Sequence, residues 1–177
     1  MKGMDDPLSL ENRRRLYHYI VTNPGAHLRE IERGLSFQPG LLSYHLNFLQ
    51  ERQLIRSEDD GNKKRFFPTS SYRLRDRKVI ALIRQTSTRR ILMHLLTNGP
   101  TSFGTLKEEM RVSKSTLSYH LKKMTSYGVV VFRKSERENI YSIQNPDVVA
   151  DSLIEYAHSL NPDAVERFCE IWDMMSS

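Results

Sequence analysis

Apolar residues recur every three to four positions in several short stretches of this chain. Leu16 and Ile20, and again Ile91 and Leu95, stand at i and i+4, the spacing of one buried helix face. They predict helices over about Leu10–Thr22 and Thr88–Thr97, stopped by Asn23-Pro24-Gly25 and Asn98-Gly99-Pro100. Leu28, Ile31 and Leu35, and likewise Phe103, Leu106 and Met110, predict short second helices over about His27–Gly34 and Ser102–Met110. After a brief turn, a third helix is expected in each case, with Leu42, Leu46 and Leu49 on one inner stripe and Leu117, Leu121 and Met124 on the other. Pro39 suits the first turn of one, Ser113 caps the other, and the helices run to about Arg52 and Tyr127, where Gly128 offers a stop. Short strands follow, at about Leu54–Ser57 and Lys64–Phe67 around Asp60-Gly61, and at about Val129–Lys134 and Asn139–Ile143.

The two sets of elements are copies. The pentapeptide Leu-Ser-Tyr-His-Leu occurs at Leu42–Leu46 and at Leu117–Leu121, 75 residues apart. At that offset, without gaps, Arg14-Arg15 falls on Arg89-Arg90, Thr22-Asn23 on Thr97-Asn98, Ile31 on Leu106, Leu35 on Met110, and Leu54-Ile55 on Val129-Val130. Helix, helix, turn, helix, hairpin is the order of a winged helix-turn-helix module, and about 60 residues suffice for one. The expected fold is mainly α with small β-hairpins: two tandem winged helix-turn-helix domains plus C-terminal helices.

The third helices carry the candidate chemistry. With Leu42 at the centre of the core stripe, Gly40, Ser43, Tyr44 and Asn47 fall on the far side; with Leu117 there, Ser115, Ser118, Tyr119 and Lys122 face out. These faces are small, hydroxylated or aromatic, with no acid before Glu51. Such a surface approaches a major groove closely and hydrogen-bonds phosphates or base edges. An ordinary solvated face would mix Glu with Lys. The candidate DNA contacts are Gln38, Gly40, Leu41, Ser43, Tyr44 and Asn47 in copy one, and Ser113, Lys114, Ser115, Thr116, Ser118, Tyr119 and Lys122 in copy two. The hairpins add Lys63, Lys64 and Arg65, and Arg133, Lys134 and Arg137, placed to reach a minor groove or the backbone. Glu58, Asp59, Asp60, Glu136 and Glu138 weaken the field there. His45 and His120 lie at the edge of the core stripe, where a part-buried imidazole bonding backbone or phosphate is expected rather than a metal ligand, since no second ligand stands at metal spacing.

Charge sharpens this picture. The chain carries a net +6 over 177 residues, but residues 1–145 hold 26 Lys+Arg against 14 Asp+Glu, and residues 146–177 hold one Arg against seven acids. The body suits a polyanion, and the tail suits protein. A single cysteine, Cys169, rules out an internal disulfide and a Cys-based metal site, and fits a cytoplasmic setting. The first residues lack the apolar core of a secretory signal, and no membrane helix is expected.

Between the copies, Tyr72–Gln85 combines Arg73, Arg75, Arg77, Lys78 and Arg84 with Val79, Ile80, Leu82 and Ile83, which predicts a packed helix. Asn145-Pro146-Asp147 and Asn161-Pro162-Asp163 read as helix starts, and Val165, Phe168, Cys169, Trp172 and Met175 form an apolar stripe suited to packing or to a homodimer. The expected domains are residues 1–70, a linker helix at 71–86, a second module at 87–145, and C-terminal helices at 146–177.

The segments 23–31, 40–46 and 61–68 together resemble the tandem winged-helix regulators common in archaea, with modules related to the ArsR and MarR types. The resemblance covers about residues 9–145. It implies a third helix in the major groove, a wing on the backbone, and transcription regulation through double-stranded DNA. The chain departs from the metal-sensing ArsR branch, having no Cys-x-Cys in a recognition helix, and no cofactor is expected. The alternative is a protein-bridging module of a transcription or chromosome-organising assembly. An enzyme is not expected: there is no Gly-rich phosphate loop and no nucleophile elbow.

Overall fold

A computed structural model describes residues 10–69 and 74–155. The expected final helix from Asn161, with its stripe from Val165 to Met175, lies outside the described residues. The chain divides into two units, Met1–Arg77 and Lys78–Ser177.

The first unit begins with α1 (Glu11–Thr22), β1 (Ala26–His27), α2 (Leu28–Leu35) and α3 (Pro39–Glu51), continues through β2 (Ile55–Asp60) and β3 (Lys63–Pro68), and enters α4 (Leu74–Ile83). Leu16 and Ile20 of α1, Ile31 of α2, and Leu42, Leu46 and Leu49 of α3 meet in one buried core with Ile55 and Phe66 of the hairpin. Each such aliphatic side chain, fully buried, contributes about 1.5–3 kcal/mol. The sheet order is β1-β3-β2.

The second unit repeats this with α5 (Thr86–Asn98), β4 (Thr101–Ser102), α6 (Phe103–Met110), α7 (Lys114–Ser126), β5 (Val130–Lys134) and β6 (Asn139–Ile143), followed by α8 (Pro146–Glu155). Its sheet order is β4-β6-β5. Val149, Ala150 and Leu153 of α8 are buried. The fold is mainly α, with two tandem winged helix-turn-helix units and two small antiparallel sheets.

The repeat extends to individual hydrogen bonds. Ile55 pairs with Pro68 and Ala26 with Phe66; 75 residues on, Val130 pairs with Ile143 and Thr101 with Tyr141. Both third helices end in the same motif. Gln53 N–H donates to Gln50 O at 2.9 Å and Leu54 N–H to Leu49 O at 3.0 Å; Gly128 N–H donates to Thr125 O at 3.0 Å and Val129 N–H to Met124 O at 3.2 Å. This is a Schellman ending, and it requires a left-handed residue, supplied by Gln53 at φ 57° and Gly128 at φ 69°. The turns between second and third helices also open on a left-handed residue, Ser36 or Arg111.

The strands β1 and β4 were not expected. At two residues each they are too short to show alternation, and they form because the chain leaving α1 or α5 runs beside the last strand of its hairpin.

Candidate nucleic-acid interface

The α3 and α7 faces protrude from their own units. The inner stripes anchor them, leaving Gln38, Gly40, Leu41, Ser43, Tyr44 and Asn47 exposed on one and Lys114, Ser115, Thr116, Ser118, Tyr119 and Lys122 on the other. Tyr44 is 58% exposed and Tyr119 62%. Gly40 has open space where a Cβ would stand, so its surface comes close to the helix backbone. Ser113 caps α7 by accepting the Thr116 N–H at 3.1 Å, a contact that contributes about 1 kcal/mol. No Asp or Glu lies in α7, and α3 has only Glu51 in its last turn.

Each tyrosine leans edge-on against the following histidine. The ring centroids are 5.1 Å apart for Tyr44 and His45 and 5.4 Å for Tyr119 and His120. His45 is 3% exposed and neither of its ring nitrogens has a hydrogen-bond partner. The expected bond to backbone or phosphate is therefore corrected: the ring is held by packing between Tyr44 and Phe37. Burial lowers the His45 pKa below the usual imidazole value, and the charge of Arg13 adds to this. His120 is lowered in the same way, by burial and then by Lys123. Arg13 itself lies over the Phe48 ring, 3.5 Å from its centroid.

The hairpins divide the candidate wing cations. Lys63, Lys64, Arg133, Lys134 and Arg137 are exposed. Arg65 is not, and its expected role as a DNA contact is corrected. Its Nε donates to Asp60 Oδ2 at 2.6 Å and its terminal nitrogen to Gly25 O at 2.9 Å. The guanidinium thus ties both hairpin strands to the turn after α1, and Arg65 is 2% exposed. The acids expected to weaken the first wing are partly neutralised: Asp60 by Arg65, and Glu58 by Arg77. In the second wing, Glu138 accepts the Gly104 N–H at 2.9 Å. The sequence holds no local signal of this contact, which joins residues 34 positions apart.

Arg77, one of the basic residues of the connecting segment, is buried against Glu58. Val79, Ile80, Ala81, Leu82 and Ile83 of α4 are buried. Among the described residues, no helix is long and apolar enough to cross a membrane.

Residues 10–80 match a family model described as an N-terminal HTH domain. Residues 86–131 match the model described as bacterial regulatory protein, arsR family. Over 133 residues the chain is 29% identical to an uncharacterized HTH-type transcriptional regulator of Methanocaldococcus jannaschii, a match that covers 75% of this chain and 33% of that protein. The chain thus spans about a third of the length of this curated relative. Two family matches, one to each half, coincide with two copies of one three-helix-and-hairpin unit, and the chain is a tandem winged helix-turn-helix protein.

Proposed function

We propose that this chain binds double-stranded DNA sequence-specifically and regulates transcription. The observation that carries the reading is the pair of exposed, nearly acid-free faces on α3 and α7, each centred on a protruding tyrosine. Ser43, Tyr44 and Asn47 in one unit, and Ser115, Ser118, Tyr119 and Lys122 in the other, meet base edges and neighbouring phosphates in the major groove. Gln38, Gly40, Leu41, Ser113, Lys114 and Thr116 line the approach. Lys63 and Lys64, and Arg133, Lys134 and Arg137, meet the backbone beside it. The relative's printed description as a transcriptional regulator supports this reading.

In this reading residues 1–70 and 87–145 are the two reading domains and 71–86 is a connecting helix. Residues 146–177 supply packing or a homodimer contact, which suits a two-fold operator. The protein works in the cytoplasm at the nucleoid.

Selection of bound sequences from random duplex DNA tests the proposal. The expected result is an enriched motif whose symmetry reports the number of chains bound. Duplex binding with a steep salt dependence but no enriched motif removes the sequence specificity. No duplex binding at low salt overturns the reading. Sedimentation showing a monomer at high concentration removes the homodimer.

A further inference from the structure

A cleft of about 190 Å³ lies in the second unit between α7 and the hairpin strands. Ser118, Leu121, Lys122 and Thr125 line it from the helix, and Phe132 and Tyr141 from β5 and β6. The two rings stand 5.8 Å apart between centroids, tilted by 40°, and Phe132 is 52% exposed. A phenylalanine half in water gives up apolar contact that a flat, apolar molecule would restore. Lys122 is the one charged residue of the walls, exposed and without an ion pair among the described residues. The Ser118 and Thr125 hydroxyls add hydrogen-bonding groups beside it.

In the first unit a hydrogen bond crosses the same place. Seventy-five residues earlier, Gln50 stands for Thr125, Ser57 for Phe132 and Phe66 for Tyr141. The register is the same, since Ser57 faces Phe66 as Phe132 faces Tyr141. Gln50 Nε2 donates to Ser57 Oγ at 3.0 Å, a tie from α3 across to β2. The second unit has neither partner. Thr125 donates its hydroxyl to the Lys122 carbonyl of its own helix at 2.9 Å, and Phe132 has no side-chain group to bond. Two differences between the copies thus exchange a polar tie for an opening with aromatic walls.

We propose that the α7–hairpin cleft of the second unit binds a small molecule with one aromatic ring and one anionic group. A cavity of roughly 150 Å³ accepts a single benzene ring, so this cleft has room for one ring with a short substituent. The ring lies against Leu121, Phe132 and Tyr141. The anion meets the Lys122 ammonium and accepts the Ser118 hydroxyl. Ser118 and Lys122 are also duplex contacts in the function proposed above. A bound anion neutralises one and occupies the other, so the ligand weakens duplex binding. That antagonism rests on the DNA reading; the site itself does not.

The test uses the isotope-labelled full chain and follows the backbone amides of Ser118, Lys122 and Phe132 by NMR during titration with phenylacetate. Saturable shifts are expected there, with a Kd on the order of a millimolar, while Ser43, Asn47 and Ser57 stay in place. Acetate, which lacks the ring, and benzyl alcohol, which lacks the charge, are expected to bind several-fold more weakly. Thr125→Gln with Phe132→Ser installs the pair of the first copy and should abolish the shifts. Gln50→Thr with Ser57→Phe should create them in the first unit. Circular dichroism checks that each double variant folds. Phenylacetate is also expected to lower the affinity of the parent chain for a mixed-sequence duplex by about three- to tenfold, and to leave that of the first double variant unchanged. A titration that leaves Ser118, Lys122 and Phe132 unmoved, or moves Ser43, Asn47 and Ser57 equally, overturns the site. Acetate that matches phenylacetate overturns the aromatic ligand. Shifts with undiminished duplex binding support the site and overturn the antagonism. Shifts in a chain that binds no duplex support the site and overturn the function proposed above.

Discussion

Asp60 and Arg65 form an ion pair at 2.6 Å with both side chains at most 3% exposed. Five residues apart across a tight turn, they lock the first hairpin, and the guanidinium reaches on to Gly25 O. Removing one member leaves the other charge buried and unpaired. Asp60→Ala is therefore expected to destabilise the first unit by about 3 kcal/mol. Urea unfolding measures this directly. A loss below about 1 kcal/mol would mean that the pair is solvated and that Arg65 is available to ligands after all.

Tyr44 and Tyr119 are mostly exposed, and each leans edge-on against the histidine that follows it. Tyr44→Ala and Tyr119→Ala should each cost stability no more than about 1 kcal/mol, the size of that aromatic contact. Each should weaken binding to a selected duplex by about 1–2 kcal/mol, read by fluorescence anisotropy. Equal binding by both variants would place the reading surface elsewhere.

His45 and His120 give folding a pH dependence of defined sign. Burial, reinforced by Arg13 and Lys123 respectively, lowers both imidazole pKa values in the folded chain. The unfolded chain takes these protons near the ordinary value of about 6.5. Below that pH the unfolded state binds more protons than the folded one, so stability is complete above about pH 6.5 and falls as the pH drops toward the lowered values. Denaturant midpoints at pH 7.5 and pH 5.5 should differ in that direction, and His45→Leu should narrow the gap. The same midpoint at both values would show that the rings are hydrated.

Gln53 holds a left-handed conformation at the end of α3, where the second copy has Gly128. Only glycine adopts that conformation without a Cβ clash. Gln53→Gly should stabilise the first unit by about 0.5–1 kcal/mol, measured as a rise in its urea midpoint. A drop would mean that the Gln53 side chain makes a contact worth more than the strain.

Much of this architecture is legible in the residues because its signals are local. Leucines at 42, 46 and 49 define a helix face wherever they occur, and a capping serine such as Ser113 acts on an amide three residues away. The copied pentapeptide fixes the correspondence of the rest. What stays hidden depends on contacts distant in sequence. Nothing beside Arg65 says that the Gly25 carbonyl, 40 positions earlier, will accept its hydrogen bond. The pairing of Ala26 with Phe66 is equally silent, since two residues cannot display a period. His45 misleads for the opposite reason: an imidazole normally demands a partner, and here close packing substitutes for one.

The register shared by the two sheets makes the copies interchangeable parts. Exchanging Pro39–Glu51 for Lys114–Ser126 would replace one thirteen-residue helix by another of the same length, with buried apolar residues at matching positions (Leu42 and Leu117, Leu46 and Leu121, Leu49 and Met124) and a left-handed residue after each. The scaffold treats the outward face as a cassette. Two copies of one unit thus present outward surfaces that share Ser43-Tyr44 and Ser118-Tyr119 but differ around them, as at Asn47 and Lys122.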